Sequence, residues 1–531
     1  MRSTFYGLEI ARSGMNAQQI GLDVTSHNIA NANTPGFTRQ QPIMRTIAPV
    51  SASLSKFVSN NTGRMAGMGA AIQQIRQIRD SFLDSQYRKE NKRLGEWQIK
   101  QQSLSLVEAI FNEPSETGIN SVLNEFFNAL QAMSLNPEDP TTRATVQQKA
   151  FALTENIREV YIKLEELQRQ LDDNIISYVQ EINSYAKEIS ELNKLIFKYE
   201  ASGQRANDLR DQRELLLDKL SEIVDVTSYE DADGRFRVDI GGQMLVNHFD
   251  VKTLDVKVRS GSLTGNPPKN NYTDIDGLHE VVWSETGDAL NINGGILKGL
   301  MDMRDGIGAK EDPITDAEGN IIQPPNKNTT FGIPYYMQQW NAFAKNFMIK
   351  FNAIHREGYN LYGETGIDFF SDGSDQFDPQ NVNHPAAKFI TLSKELQDDW
   401  NNIAAIYLDE DDGGIGPGDA EGNNKNLLRL IALRHDTDFM GGNSGTMDNY
   451  IKSLISTLGV SSRQAQHMME NQQFLTAEIS RRRMSVSGVS LDEEMANMVK
   501  FQHAYNASAR VFTAMDQILD TLINRLGLAG R

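Results

Sequence analysis

A single apolar stripe through residues 141–202 limits what this 531-residue chain can fold into. Its members recur at steps of three and four, the spacing of one face of an α-helix, with two consecutive steps of four in the middle. They are Ile157, Val160, Leu164, Leu167, Leu171, Ile175, Tyr178, Ile182, Tyr185, Ile189, Leu192, Ile196 and Tyr199. Asp139 and Pro140 supply an N-cap and a first helical residue just before the stripe. A helix of this length would extend roughly 90 Å at 1.5 Å per residue. The sequence therefore predicts a helical rod rather than a compact enzyme domain.

Both ends of the chain carry helical patterns with two seams each, and one N-terminal seam consists largely of small residues. The N-terminal seams are Leu8, Ala11, Met15, Gln18, Leu22, Thr25 and Ile29, and Gly7, Ile10, Gly14, Ala17, Gly21 and Val24. The C-terminal seams are Leu491, Met495, Met498, Gln502, Tyr505, Ala509, Phe512, Asp516, Leu519, Ile523 and Leu526, and Phe501, Ala504, Ser508, Val511, Met515, Ile518 and Leu522. A surface helix usually buries one face. We therefore expect the two ends to pair with each other and with further copies of the chain.

After the N-terminal seams, Pro35-Gly36 predicts a type II turn. The interior mixes helical and strand patterns. Residues 38–70 alternate weakly, and from about Ile72 a helical period returns. Its members are Ile75, Ile78, Phe82, Trp97, Leu104 and Phe111. Residues 224–262 alternate with period two around a predicted Asp233-Gly234 hairpin turn. Further helices are predicted at 294–304, 335–357, 424–433 and 447–483, and Ser490 with Glu493 predicts a capping box for the last helix.

The predicted fold class is mainly α with β-rich insertions. We expect an elongated multi-domain rod with the N- and C-terminal helices paired as a coiled coil, a long helical bundle domain and outer β domains. The predicted domains are a terminal coiled-coil core (1–45 and 487–531), a helical rod (46–224, 294–362 and 434–486), a β-rich insertion (225–293) and an acidic mixed outer insertion (363–433).

Composition excludes several classes of protein. The net charge is −18, and residues 361–430 hold 14 Asp or Glu against 4 Lys or Arg, so no nucleic-acid partner is expected. The chain has no cysteine, which removes disulfides and zinc–thiolate sites. The chain contains no run of 18 apolar residues, so it is not expected to insert into a membrane. Glu9 and Arg12 interrupt the apolar stretch that a cleavable signal peptide would need. We expect a cytosolic protein, or one exported by a route that leaves its N-terminus intact.

No catalytic, cofactor or metal site emerges from the sequence. The eight histidines show no metal-ligand spacing. Residues 409–413 superficially suggest a calcium loop, but they lack its alternating ligands and distal Glu, which favours a solvated acidic turn. The glycine clusters at 306–308 and 441–445 lack the following Lys-Ser or Lys-Thr of a phosphate-binding loop. The chain is predicted to be no enzyme and to hold no cofactor.

Residues 28–37, which read Asn-Ile-Ala-Asn-Ala-Asn-Thr-Pro-Gly-Phe, resemble the N-terminal signature of the bacterial flagellar axial proteins, the family of rod, hook and hook-associated proteins. The following Thr38-Arg39-Gln40 is similar to the hook-associated members. Residues 487–494 and 505–511 resemble the C-terminal signature of the same proteins, and residues 294–300 and 355–361 resemble their helical domain.

The resemblance implies a structural subunit at the junction between hook and filament, exported through the flagellar type III apparatus to the extracellular flagellum. Implied partners are further copies of the chain, the hook protein, the next hook-associated junction protein and an export chaperone. The predicted assembly interface consists of Leu8, Ala11, Gly14, Met15, Gly21, Leu22, Ile29, Asn33, Pro35, Gly36, Met498, Tyr505, Ala509, Phe512, Leu519, Ile523 and Leu526. Alternatives are another axial subunit of hook or rod, a cytosolic coiled-coil scaffold, and a peptidoglycan hydrolase carried on a flagellar frame.

Overall fold

A computed structural model of the chain describes residues 5–47, 67–112, 115, 118–261, 267, 269, 274–308, 314–315, 321–323, 328–373, 385–408, 422–441 and 445–525. Helices dominate this part of the chain, and the sheets are small and antiparallel. The prediction of a mainly α protein is therefore confirmed. None of the helices in these ranges is both long and apolar enough to cross a membrane.

The helices differ widely in length. They are α1 (Tyr6–Ala30), α2 (Ser81–Phe111), α3 (Ile119–Met133), α4 (Pro140–Glu200), α5 (Asn207–Ile223), α6 (Ile296–Asp305), α7 (Ile333–Glu357), α8 (Ala386–Phe389), α9 (Lys394–Asp398), α10 (Lys425–Ala432), α11 (Met447–Ser487) and α12 (Leu491–Asp520). Short 3-10 turns lie at Trp400–Asn402 and Leu433–His435, and a π-helical turn at Thr521–Arg525 follows α12.

The strands form one four-stranded sheet and several hairpins. They are β1 (Gln40–Thr46), β2 (Ala70–Gln77), β3 (Val226–Glu230), β4 (Phe236–Ile240), β5 (Gln243–Asn247), β6 (Asp250–Val251), β7 (Leu254–Val258), β8 (His279–Trp283), β9 (Ile314–Thr315), β10 (Ile321–Gln323), β11 (Phe370–Ser371) and β12 (Thr391–Leu392). The four-stranded sheet has the order β3-β4-β5-β6, and β1-β2, β7-β8, β9-β10 and β11-β12 pair separately.

The chain divides into two compact units. Unit 1 comprises Met1–Lys92, Ile182–Thr253 and Gln472–Arg531, and unit 2 comprises Arg93–Glu181 and Leu254–Asn471. This division groups the residues differently from the four domains predicted above, which remain a prediction.

The long helix follows its sequence pattern closely. α4 begins at Pro140, and the Thr141 N–H donates to Oδ1 of Asp139 at 3.0 Å, as expected for an N-cap. After Ile175 the buried face passes through Val179 rather than the predicted Tyr178. Two consecutive steps of four precede this point and rotate the apolar stripe around the helix.

The helical period predicted from Ile72 starts too early, because residues 70–77 form strand β2 and helix α2 begins only at Ser81. Ile75 lies opposite Pro42 and Ile72 lies opposite Met44, so both isoleucines share one face of the hairpin. The register shifts between these pairs because β2 holds one extra residue. This bulge produces a spacing of three on one strand face, which imitates a helix in the sequence.

Unit 1 contains the four-stranded sheet, whose first strand, β3, directly follows α5 in the chain. Phe236, Val238 and Ile240 of β4 are buried, as the period-two pattern predicts. Gly234 has a φ of 78° in the turn between β3 and β4, a left-handed conformation that glycine adopts without strain. Arg213 of α5 stacks over the Phe236 ring at 3.6 Å from its centroid, and donates to Glu230 of β3 at 2.9 Å.

Unit 2 is built around an aromatic core. One face of α7 is fully buried and carries Trp340, Phe343, Phe347 and Phe351. The Trp340 indole N–H donates to the backbone carbonyl of Ile157 in α4 at 2.9 Å, so the only hydrogen-bond donor of this buried side chain is satisfied.

Candidate assembly site at the paired chain ends

The helices at the two chain ends pack against each other in an antiparallel pair. Three glycines of α1 occur seven residues apart, and each faces a residue of α12. A Cβ atom at Gly7 would lie 2.9 Å from Met515, at Gly14 it would lie 3.2 Å from Ser508, and at Gly21 it would lie 2.9 Å from Phe501. Seven residues forward on α1 thus correspond to about seven residues backward on α12. The small N-terminal seam faces α12 of the same chain.

On α12 the facing residues alternate between the two predicted seams. Glu494, Met498, Phe501, Tyr505, Ser508, Phe512, Met515 and Leu519 follow steps of four and three and are all buried or half-buried. Met498, Tyr505, Phe512 and Leu519 belong to one predicted seam, and Phe501, Ser508 and Met515 belong to the other. The periodicity defined the spacing, but it did not identify which combination of residues forms the contact.

The pair ends in a buried polar contact that the sequence did not predict. Asn28 is 1% exposed, and its side-chain amide donates to the Gln40 carbonyl at 2.8 Å and accepts from the Gln40 N–H at 3.0 Å. The same amide donates to Oε2 of Glu494 at 3.0 Å, and Glu494 is 2% exposed. Asn28 therefore joins the end of α1, the start of β1 and the first turn of α12.

Arg39 forms the second half of this contact. Its Nε donates to Oε1 of Glu494 at 2.8 Å, and a terminal nitrogen donates to Glu493 at 2.6 Å. The Arg39 backbone N–H donates to the Ser487 carbonyl at 2.9 Å. The predicted capping box is therefore wrong: Ser490 occupies the N-cap position but makes no side-chain cap hydrogen bond, and Glu493 pairs with Arg39 instead.

The signature segment is also attached to α5. Both the N–H and the hydroxyl of Thr38 donate to the carboxylate of Asp211, the N–H at 2.9 Å. The Gln40 side chain donates to Asp208 at 2.7 Å. Burial raises the pKa of Asp211 to about 6, although the two Thr38 hydrogen bonds favour its ionised form.

The turn inside the signature segment has the predicted geometry. The Phe37 N–H donates to the Thr34 carbonyl at 3.1 Å, which closes a four-residue turn with Pro35 and Gly36 in its centre. Gly36 has a φ of 80°, the value that a type II turn requires at its third position. A Cβ there would also lie 3.1 Å from Leu215 of α5, so the glycine allows close packing as well as the turn.

The β1-β2 hairpin lies along α1. The Tyr6 hydroxyl donates to the Gly67 carbonyl at 2.9 Å, near the opposite end of α1 from the contact between Asn28 and Gln40. Gly69 has a φ of 101°, and a Cβ at this position would lie 3.2 Å from the Ser13 Cβ and 3.4 Å from the Ile10 Cα. Glycine is needed here because the hairpin backbone lies directly on the helix.

The predicted interface residues differ in their burial within one chain. Ala11, Gly21 and Leu519 are buried, and Leu8, Gly14, Met15, Leu22, Ile29, Gly36, Met498, Tyr505, Ala509 and Phe512 are half-buried. Asn33, Pro35 and Ile523 are exposed, and Leu526 lies outside the described residues. Asn28, Thr38, Arg39, Gln40, Asp211 and Glu494 were absent from the prediction. Asn28 and Glu494 could have been found in the sequence as polar residues that continue the spacing of a seam otherwise made of apolar or small residues.

A cleft of about 780 Å³ lies beside the signature segment in unit 1. Its walls come from residues 32–39, from Tyr87 and Asn91 of α2, from α5, and from residues 480–493. Across the described ranges, no group of three or more His, Asp or Glu side chains could hold a metal ion. The acidic turn predicted at 409–413 lies outside those ranges.

Comparison with known proteins connects this architecture to a family. Residues 104–370 match the family described as the flagellar hook-associated protein FlgK helical domain. The flagellar hook-associated protein 1 of Bacillus subtilis is 32% identical over 532 residues, which cover 100% of both chains. The chain belongs to the flagellar hook-associated protein 1 family.

Two further relatives agree with this family. The flagellar hook-associated protein 1 of Escherichia coli is 25% identical, and the alignment covers 97% of this chain and 98% of the relative. The protein of the same name from Salmonella typhimurium has the same identity and coverage. The solved flagellar hook junction protein FlgK from Burkholderia pseudomallei has a TM-score of 0.58 at 16% identity, covering 76% of this chain and 100% of that one, which supports the fold.

The family assignment also explains the chain ends. Residues 8–38 match the flagella basal body rod protein family, and residues 481–526 match the C-terminal family of the flagellar basal body rod proteins. These two segments contain most of α1 with its signature turn and the whole of α12. Members of the hook-associated protein 1 family are structural proteins of the flagellum and not enzymes, as the sequence predicted.

Proposed function

We propose that this chain is the structural subunit that joins the hook to the filament of a bacterial flagellum. Full-length similarity to hook-associated protein 1 supports this role, as does the word junction in the name of the Burkholderia protein. The observation that carries the proposal is the pairing of α1 with α12 through a polar contact between Asn28 and Glu494, because both partners lie in segments shared with other flagellar axial proteins.

The pair is proposed to act as a coiled coil that packs against the same pair in neighbouring copies. Steps of four and three on α12 match the spacing of coiled-coil seams. The pair leaves apolar side chains exposed: Leu491, Met495, Val511, Ile518 and Ile523 are each 47% exposed or more. Water contact with such residues is unfavourable by about 25 cal/mol per Å² of apolar surface, which favours their burial between copies. The predicted interface residues would then form contacts within and between chains.

The remaining predicted domains have complementary proposed roles. The helical residues of 46–224, 294–362 and 434–486 would form a rod outside the terminal core, and the insertions 225–293 and 363–433 would face outwards. The acidic balance of residues 361–430 supports an outward position, because clustered carboxylates favour water. The hook protein and the next hook-associated protein would be the axial neighbours.

Delivery through the flagellar type III apparatus is the proposed route to the extracellular flagellum. An export chaperone would bind the apolar seam of α12 as a helix in a groove. α12 offers such a seam because Leu491 and Met495 are exposed along it. If deleting residues 490–531 left chaperone binding unchanged, this part of the proposal would be wrong.

The test is to delete the gene, restore it with an epitope-tagged chain and locate the tag on isolated flagella by electron microscopy. We expect the label between hook and filament, and hooks without filaments in the deletion strain. The rod-family matches at both ends favour a rod or hook subunit as the second candidate, and label along the rod or hook would support it. Label confined to the cytoplasm would support a coiled-coil scaffold.

A further inference from the structure

The segment between Asp23 and Asp80 carries positively charged side chains and no negatively charged ones. Its sequence contains six basic residues, Arg39, Arg45, Lys56, Arg64, Arg76 and Arg79, and no Asp or Glu. The whole chain has a net charge of −18, so the remainder carries −24. The β1-β2 hairpin is the largest described part of this segment, and it is a cationic surface on an acidic protein.

Two of these cations share one exposed face of the hairpin. Gln41 and Arg45 lie four residues apart on β1 and therefore point to the same side of the strand. Arg76 lies directly opposite Gln41 on β2. The extra residue of the bulge belongs to β2, so the alternation along β1 is undisturbed. Arg45 and Arg76 are both exposed.

The same chain does not neutralise these two guanidinium groups within the described residues. Arg39 pairs with Glu493 and Glu494, and Arg79 pairs with Asp84. Among the residues that the structure describes, no carboxylate forms an ion pair with Arg45 or Arg76. We call the exposed surface formed by Arg45 and Arg76 the cationic hairpin face.

A complementary surface lies on the first half of α12. Leu491, Asp492, Met495 and Val499 are all exposed and fall within roughly 100° of arc at 100° per residue. Asp492 has no ion-pair partner among the described residues, in contrast to Glu493 and Glu494 beside it. The surface formed by these four residues, the α12 acidic face, therefore combines one unpaired carboxylate with apolar side chains.

We propose that the cationic hairpin face of one copy docks on the α12 acidic face of a second copy. This inference rests on the proposed function, since it requires assembly of the chain. Opposite charges that remain unpaired on one chain become paired when two copies meet, and the apolar residues around Asp492 exclude water from the contact. The two faces differ, so the contact is heterologous and repeats from copy to copy as a ring or helix.

Cross-linking tests the contact directly, because the natural chain has no cysteine. Cells would express R76C and D492C on separate copies of the full chain, and isolated hook–filament structures would be treated with a short bismaleimide. We expect a cross-linked dimer of this chain only when both variants are present. The control combines D492C with K187C, because Lys187 is an exposed cation of α4 outside the hairpin, and should give no dimer.

A charge exchange provides the functional test. R76D and D492R should each reduce the number of filament-bearing cells, and the double variant should restore it, because every copy then supplies both reversed charges. K187D changes the net charge as R76D does and should leave filaments unaffected.

Several results would overturn the inference. They are equal effects of R76D and K187D, no restoration in the double variant, or cross-links from R76C only to a different protein. If the natural chain is absent from isolated hook–filament structures, the proposed function fails as well. If the chain is present there but R76C and D492C give no dimer, only this inference fails.

Discussion

Asn28 and Glu494 are 466 residues apart in the sequence, yet the Asn28 amide donates to the Glu494 carboxylate at 3.0 Å in a buried seam. Burying a carboxylate is unfavourable unless it is hydrogen-bonded and paired. Glu494 meets both conditions through Asn28 and Arg39. The contact is therefore specific to one alignment of α1 against α12, since a shift along either helix would leave the carboxylate without these partners.

Removing one partner should loosen the pair locally. We expect N28A to reduce the free energy of opening the α1–α12 pair by about 1–3 kcal/mol, because the Gln40 backbone groups and Glu494 lose buried hydrogen bonds. E493Q is the control, because Glu493 has an exposed side chain and its surface pair with Arg39 is worth only about 0–1 kcal/mol. Hydrogen exchange of the amides in residues 24–40 should increase in N28A and stay near the natural rate in E493Q. Equal exchange in the two variants would show that the contact does not hold the pair together.

The glycine seam should tolerate no large side chain. G21L places a side chain against Phe501, whose ring lies only 2.9 Å from the position that a Cβ at residue 21 would occupy, so we expect α1 to separate from α12 and motility to be lost. G14L should act in the same direction, because Ser508 lies 3.2 Å from the corresponding position.

Two variants sharpen the glycine prediction. G459L is the matched control, because nothing lies within 4 Å of a Cβ at Gly459 of α11. F501A combined with G21L should recover part of the motility by returning space to the seam. Normal motility of G14L and G21L strains would refute a close α1–α12 contact in the assembled protein.

Unit 2 should lose stability in mild acid. His355 is fully buried, with its ring nitrogens bonded to the Ile367 carbonyl and the Ala404 N–H, and burial lowers its pKa to about 4. An unfolded histidine has a pKa of about 6.5, so the neutral form is favoured in the fold. The resulting stability is present above pH 6.5 and is lost as the pH falls through about 4, on the order of 3 kcal/mol in total.

Denaturant unfolding at several pH values would measure this effect. H355N should be less stable than the natural chain at pH 7 and should show a smaller further loss between pH 6.5 and 4. H467N is the control, since His467 has a largely exposed side chain on α11. An unchanged pH dependence in H355N would assign the acid sensitivity to other groups.

The terminal pair should be the least protected helical part of the isolated chain. Ordering each residue costs about 1–2 kcal/mol of backbone entropy, and α12 buries only Glu494 and Leu519 fully. We expect amides of α1 and α12 in a verified monomer to exchange much faster than those of the buried face of α4, and to become protected in isolated flagella. Strong protection of both ends in the monomer would contradict this prediction.

The sequence by itself determined the elements that depend on local pattern. The apolar stripe through residues 141–202 predicted α4, because the spacing of apolar residues along the chain shows which of them share a helix face. Asp139-Pro140 predicted the first residue of this helix. The alternation of Phe236, Val238 and Ile240 predicted a buried strand in the same way. Pro35-Gly36 predicted its turn because only a few residue types adopt that backbone geometry.

Tertiary structure decided which faces meet. The period of three at Ile72 and Ile75 arises from a bulge that only the pairing with β1 creates, so the sequence pattern indicated a helix instead. Both ends had two seams, and only packing selected the glycines of α1 and an alternating set on α12. The contacts of Asn28, Arg39 and Asp211 join residues far apart in sequence, and a polar side chain does not reveal its distant partner by its spacing. Local sequence thus specified the surfaces, and the free energy of burying them together specified their partners.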